Sequence, residues 1–430
     1  MWLPSVVLFG LFNLFLSLVL SFRMTASESA TAVHRFDSIP LAPPDSILGI
    51  SEAFSADPRG EKMNLSVGVY KDASGTTPIM KCVKAAERKL LENEKTKGYL
   101  PIDGLPDYRH AVREMLFGDK IEPGRIAIVQ APGGTGALRV AGDFLASQCS
   151  PTRVFLPNPT WANHAAILQS AGLTVEMYSY LGSDRRSLDF DSLISDLNEK
   201  TRPGDAILLH ACCHNPTGVD PTAEQWQEIA RVLASRGLIP MLDFAYQGFG
   251  DGLAEDCAGL HTVMEHCEEA IVCSSYSKNF GLYSERVGAV ALVAASPAVA
   301  VAATSQLKVM VRSNYSNPPR HGGAIVATVL GDAELTRMWK TELEEMRLRI
   351  TSLREQFVEG MKRQSGAPDF SFLRNQKGMF SYSGLTAMQV DELKTKHGVY
   401  VVGSGRINVA GMEEARMDWL CDAVAEVVGA

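Results

Sequence analysis

Lys278 is the residue with the clearest chemical potential. It stands in Ser274-Ser-Tyr-Ser-Lys-Asn-Phe-Gly-Leu-Tyr-Ser-Glu-Arg286, just past a β-like run, with no other charge for several residues before it. A lysine drawn out of water beside other cations gives up its proton more readily and becomes a nucleophile toward carbonyls, the Schiff-base arrangement. Ser275, Ser277 and Arg286 surround it with anion-binding groups. A solvated loop lysine would fit the same letters.

A second segment, Ala131-Pro-Gly-Gly-Thr-Gly-Ala-Leu138, follows a β-like run and opens a helical one. Glycines let backbone close around an anion, and a helix N-terminus offers free N–H groups. Gly134 and Thr135 are therefore candidates for a phosphate, although a plain strand–helix turn uses the same glycines. It is not a dinucleotide fingerprint, because Arg139 stands where Gly or Ala is needed, and no Gly-Lys-Ser/Thr makes it a Walker loop.

Asp243, in Met241-Leu-Asp-Phe-Ala-Tyr-Gln-Gly-Phe249, is an acid inside an apolar strand. Such a carboxylate is costly unless it meets a cation or hydrogen-bond donors. His210-Ala-Cys-Cys-His-Asn-Pro-Thr-Gly218 ends another strand, and Asn215 falls where ligands of α/β sheets sit. Its two histidines and two cysteines invite a zinc reading, but no second cluster completes one, and no metal is expected. Arg312, in Arg312-Ser-Asn-Tyr-Ser-Asn-Pro-Pro319, and Arg406, in Ser404-Gly-Arg-Ile-Asn-Val-Ala410, read as arginines in polar turns. Two guanidinium forks suit a dicarboxylate.

The elements that must position these groups alternate. β-like runs at 125–130, 153–156, 173–178, 206–211, 238–244, 271–275 and 287–293 are separated mostly by helical stretches such as 137–147 and 223–235. This predicts an α/β fold with a seven-stranded, mostly parallel sheet between helices. Residues 333–364 read as one long charged helix. The expected organisation is a leader at 1–33, an arm at 34–45 that lies on a neighbour, a large domain at 78–345, and a smaller α+β domain built from both chain ends, 46–77 and 346–430. The net charge of −8 with no basic block argues against nucleic acid, and no second long apolar run supports a polytopic membrane protein. The eight cysteines form no C-x-x-C pair and read as reduced thiols.

Together these segments resemble the class I aspartate/aromatic aminotransferases, fold type I of the pyridoxal 5'-phosphate (PLP) enzymes, with a texture closest to bacterial aspartate aminotransferases. The resemblance runs from about Ile39 to Val428. It implies that Lys278 forms the Schiff base with the cofactor and moves the Cα proton. Asp243 would pair with the pyridinium N–H, backed by His164. Tyr246 and Asn215 would bind the ring oxygen, and Trp161 would stack on the ring. Gly134, Thr135, Ser275, Ser277 and Arg286 would hold the phosphate, with Tyr99 reaching it from the partner of a homodimer. Arg406 would take the substrate α-carboxylate and Arg312, across the dimer, the distal one. Asn215 and Trp161 would also touch substrate, and Gly68 would lie where the small domain closes on it. Gly133 departs from the Ser of many eukaryotic members, which removes one hydroxyl donor to the phosphate. The implied activity is PLP-dependent transfer of the amino group between aspartate and 2-oxoglutarate, with an aromatic-amino-acid aminotransferase as the alternative. A decarboxylating or eliminating relative fits the two arginines less well, and a membrane-anchored binding protein would leave the catalytic set unexplained.

Met1 to Phe22 carries no charge, and the Ser/Thr/Ala-rich stretch after it resembles the bipartite leader of plastids bounded by extra membranes. It lacks a basic start and contains Glu28. A secretory route, a retained anchor, or a cytoplasmic protein starting at Met24 are the other readings.

Overall fold

The computed structural model describes residues 36, 38–42, 48–149 and 153–429. The expected leader lies outside the described residues, as does part of the arm, of which Phe36, Ile39 and Leu41 are exposed. Two compact units divide at residue 45, and the second, Ser46–Ala430, carries everything that follows.

Its centre is a seven-stranded sheet. The strands are β1 (Ile126–Pro132), β2 (Arg153–Asn158), β3 (Thr174–Ser179), β4 (Ala206–His210), β5 (Ile239–Phe244), β6 (Ala270–Ser275) and β7 (Val287–Val293). The spatial order is β1-β7-β6-β5-β4-β2-β3. All neighbours are parallel except that β7 runs antiparallel to both β1 and β6. Strands β4, β6 and β7 are buried along their whole length, which explains why they read as unbroken apolar runs rather than alternating ones. The seven strands lie where the sequence places them, with ends displaced by a residue or two.

Helices cover both faces. α1 (Gly133–Gln148) follows β1 directly, so the glycine-rich segment is the first turn of a helix and not a loop before it. The sequence reading started this helix four residues late because glycine is a poor helix former, yet at a helix start its free N–H groups are an asset. α2 (Ala223–Arg236) has a complete capping box between Thr222 and Gln225 and ends on Gly237 in the left-handed region. α3 (Pro297–Asn314) holds Arg312 in its last turn, which corrects the reading of that residue as part of a polar turn. The polar run Arg-Ser-Asn resembles a loop only because it lies on the exposed face at the helix end; the chain turns at Tyr315. Arg406 likewise opens a short strand, Arg406–Asn408, instead of lying in the turn before it.

α4 (Ala333–Arg363) starts under an Asp332 cap and buries a stripe from Leu335 through Trp339, Leu343, Met346, Ile350 and Leu353 to Phe357. Trp339 stacks on Phe280 with centroids 4.6 Å apart, and its indole N–H donates to the Asn279 carbonyl at 2.7 Å. One end of this helix therefore props the loop that carries Lys278. Past it, two small two-stranded sheets join residues far apart in sequence. Met63–Asn64 pairs parallel with Val399–Tyr400, and Phe380–Tyr382 pairs antiparallel with Arg406–Asn408. Among the described residues, no helix is long and apolar enough to cross a membrane.

Because Trp339 fills the space behind Asn279 and Phe280, Trp339→Ala should destabilise the chain by about 3–5 kcal/mol. A thermal unfolding midpoint equal to that of the unaltered protein would contradict this packing role.

Candidate active site

The strand ends build the site. β4, β5 and β6 run parallel, and their C-terminal ends deliver His210, Asp243 and Ser275 to one edge. Because β7 is antiparallel, its first residues return to that same edge, where Gly288 pairs with Ser275 and Val287 with Pro132. Arg286, which precedes β7, is thereby brought to the start of α1. A cavity of about 210 Å³ opens there. Of the residues singled out from sequence, Gly68, Gly134, Thr135, Trp161, Asn215, Asp243, Tyr246, Ser275, Ser277, Lys278, Arg286 and Arg406 line it. Tyr99 and Arg312 do not; both are exposed on this chain, and Arg312 donates to Ser316 Oγ within its own helix end.

Asp243 is 6 % exposed, so its ionised form needs support. Burial pushes its carboxyl pKa up. Its neighbours outweigh this and hold it below the ordinary value: a hydrogen bond from His164 Nε2 to Oδ2 at 3.2 Å, and the favourable electrostatics of the nearby imidazoles and of the Lys278 ammonium. Behind this pair, Thr160 Oγ1 lies 2.8 Å from His164 Nδ1 and 3.2 Å from His210 Nε2, which fixes both rings. Burial lowers the His210 pKa to about 3, so that ring stays neutral.

Lys278 is the counterpart. Burial, chiefly, and the nearby Arg286 charge lower its pKa to about 8, although Asp243 opposes the shift. Its ammonium sits 4.6 Å from the centroid of the Tyr246 ring. Roughly a tenth of the amine is therefore unprotonated and nucleophilic at pH 7, far more than for a solvated lysine.

Around Arg286 the groups are donors. Ser275 and Ser277 are buried and bond mainly to each other, at 3.3 Å, and Arg286 Nη1 reaches Ser277 Oγ at 3.4 Å. The first turn of α1 adds backbone N–H groups beside Gly134 and Thr135. Gly133 has φ +73°, and a Cβ there would come 2.3 Å from Arg286 Nη2. Its missing side chain is thus what lets the guanidinium lie against the helix start. Arg406 is 4 % exposed, lies 4.1 Å over the Phe380 ring, and donates to Asn215 Oδ1 at 3.3 Å and to the Ser66 carbonyl at 2.6 Å. Its Nε has no partner. Among the described residues, neither Arg286 nor Arg406 forms an ion pair with a carboxylate. Two guanidiniums, one with a buried orphan N–H, thus face the cavity without an anion.

These groups fit a phosphorylated aldehyde with a basic ring nitrogen: donors for phosphate at one end, a carboxylate at the other, and an amine between. The histidines and cysteines of 210–214 face different neighbours. His210 faces Asp243, and His214 stacks on Tyr180 at 3.9 Å. Cys212 and Cys213 lie near Asp256 instead, whose carboxylate already accepts from the N–H groups of Gly248, Gly250 and Asp251. Size is no guide to the chemistry here. A larger cavity, about 1110 Å³, opens between Met115, Leu253, His261, Leu330 and Trp339 and holds none of the candidate residues.

Sequence reasoning missed Tyr283, Phe380 and Thr160, and read His210 only as a possible ligand. Thr160 could have been found as the hydroxyl four residues before His164; the other contacts exist only in three dimensions.

Fold and site together define an enzyme of the PLP-dependent transaminase class. The family model for aminotransferase class I and II matches residues 60–424, and the chain belongs to that family. An aspartate aminotransferase of Escherichia coli is 51% identical over 396 residues, covering 91% of this chain and 100% of that protein. An aromatic-amino-acid aminotransferase of Pseudomonas aeruginosa is 45% identical, covering 92% and 99%. Among solved structures, an aromatic-amino-acid aminotransferase from Burkholderia pseudomallei covalently bound to pyridoxal phosphate superposes with a TM-score of 0.88 at 45% identity, covering 91% and 99%.

In cofactor-free protein, labelling of Lys278 by an amine-selective reagent should rise with a midpoint near pH 8, against 10.5 for a solvated lysine. Arg286→Gln removes a like charge and should move the midpoint up. Asp243→Asn removes an attractive one and should move it down. Mass spectrometry of the labelled peptide against pH checks both signs.

Proposed function

We propose that this chain is an aspartate aminotransferase that moves the amino group between L-aspartate and 2-oxoglutarate in a ping-pong cycle, giving oxaloacetate and L-glutamate. The observation that carries the reading is the convergence of Lys278, Asp243, Arg286 and Arg406 on one cavity. Bound pyridoxal phosphate supplies the carbonyl that takes up the amine and the electron sink for the broken Cα–H bond. Every other task belongs to side chains. Arg406 grips the α-carboxylate, with Asn215 holding the guanidinium in plane. Lys278 Nζ takes the proton from the substrate Cα and returns it on the other side of the exchange. Asp243, kept ionised, holds a proton on the ring nitrogen. Ser275, Ser277, Arg286 and the α1 start fix the phosphate. Trp161 and Tyr246 orient the ring, and Trp161, Asn215 and Gly68 border the substrate.

Residues 46–77 and 346–430 act as the small domain and 78–345 as the large one. Arg312 and Tyr99 serve the cavity of a second copy in a homodimer, which would account for their exposure on this chain. The N-terminal 1–33 stretch acts as a leader bearing on compartment and not on chemistry, with plastid delivery the reading its texture favours. N-terminal sequencing of the mature protein tests that.

Lys278→Ala should lose nearly all turnover with aspartate and 2-oxoglutarate; full turnover would sink the assignment. Comparing kcat/KM for aspartate with that for phenylalanine and tyrosine separates the aspartate reading from the aromatic one. Mixing inactive Lys278→Ala with impaired Arg312→Ala protein should restore aspartate turnover. One site of each mixed dimer would then hold both native residues. Mixtures no better than the sum of the parts would put Arg312 outside the partner's cavity.

A further inference from the structure

We infer that Tyr283 is a positioning residue that pins the Gly68 wall of the cavity to the loop bearing Lys278. The inference rests on the reading of Arg406 as the arginine for the substrate carboxylate. Tyr283 lies on the connection between β6 and β7 and lines the cavity. Its hydroxyl accepts from the backbone N–H of Tyr70 at 2.9 Å. Its carbonyl accepts from Arg286 Nη1, also at 2.9 Å. One residue therefore holds the guanidinium of the phosphate cup with its backbone and the 66–70 segment with its side chain.

The rest of that segment is held from the opposite side. Arg406 Nη2 donates to the Ser66 carbonyl at 2.6 Å. Asn408 Nδ2 donates to the carbonyls of Val67 and Val69 at 2.7 and 2.8 Å. These contacts use carbonyls of the segment, and the Tyr70 N–H is what it offers to the lysine loop. Gly68 stands between. A Cβ on it would come 2.8 Å from Phe380 Cζ, the ring that Arg406 overlies. The wall is thus seated on the Arg406 platform and tied to the lysine loop through one hydroxyl.

Removing that hydroxyl leaves the carbonyl contacts in place but frees the Tyr70 N–H, the segment's tie to the lysine loop. The wall then samples positions in which the cavity is not formed. Substrate must select the formed one, so apparent affinity falls by the fraction of time the wall is in place. The bound complex is unchanged, so turnover at saturation is spared.

Tyr283→Phe in the cofactor-loaded enzyme tests this. Deuterium exchange in peptides spanning 66–71 should rise about tenfold, with exchange elsewhere and the cofactor's visible absorbance unchanged, and KM for both substrates should rise about three- to tenfold while kcat stays within about twofold. Unchanged exchange at 66–71 would overturn the inference. A fall in kcat at constant KM would also overturn it, because the hydroxyl would then serve the chemical step. So would faster exchange throughout the chain, which would make Tyr283 a general support of the fold. The exchange measurement needs no turnover. A chain that failed to transaminate aspartate would defeat the functional reading and still leave the pinning to be judged by exchange.

Discussion

An ionised carboxylate held out of water at the end of β5 is the constraint from which the rest of the site follows. Asp243 is almost fully buried, and desolvation by itself pushes its carboxyl toward the neutral form. The chain counters this with imidazoles and not with a permanent guanidinium partner. His164 and Thr160 hold its geometry, and His210 is too deeply buried to carry a full charge. The carboxylate is supported but not neutralised, and it remains able to attract a cation from the cavity side. A buried arginine beside it would have closed the site electrostatically, because a tight pair has little left to offer a ligand.

The topology answers this requirement. Parallel strands place their C-terminal ends on one edge, which is why Asp243 and Ser275 are neighbours there. Lys278 and Arg286 must join them from a connecting segment, and a parallel crossover after β6 would have carried the chain across a face of the sheet first. The antiparallel β7 avoids that. Its short connection stays at the edge and keeps Ser275, Ser277, Lys278 and Arg286 within one turn of chain, against the start of α1. The lowered pKa of Lys278 is a product of this crowding: burial does most, and the nearby guanidinium adds to it.

Much of this was legible in the residues. Most of the strands stand out because buried strands run apolar with little interruption, and Asp243 stands out as an acid inside one of these buried runs, whereas Glu176 lies in β3, which is largely exposed. The glycine-rich start of α1 and the Lys278 loop were legible because their chemistry depends on neighbours in sequence. What escaped depends on closeness that sequence does not encode. Tyr283 is one of 11 tyrosines, and although it belongs to the Lys278 segment, nothing near it in sequence shows that its hydroxyl meets Tyr70. Phe380 is an ordinary apolar residue until Arg406 lies on it. Two-residue strands such as Met63–Asn64 exist only because Val399–Tyr400 lies alongside. Arg312 reads as part of a turn because it opens the exposed polar run Arg312-Ser-Asn, although Val311 just before it closes the buried stripe Ala300, Ala303, Leu307 and Val311 of the same helix.

That last case bears on substrate recognition. Among the described residues, the arginines that line the cavity are Arg286 and Arg406, and on the proposed reading Arg406 is the one left for a substrate carboxylate. The second substrate carboxylate of aspartate or 2-oxoglutarate would be left without a partner, and an unpaired charge in a closing site opposes closure. A monocarboxylate with an apolar side chain would not suffer this cost in the isolated chain. On the proposed reading, the arginines of this cavity alone do not account for a preference for dicarboxylates. On that reading the preference comes from a group brought in by a second copy, and Arg312, exposed at the end of α3, is the proposed one. On the proposed reading, catalysis is written into one chain and the preference for an acidic side chain into the pairing of two.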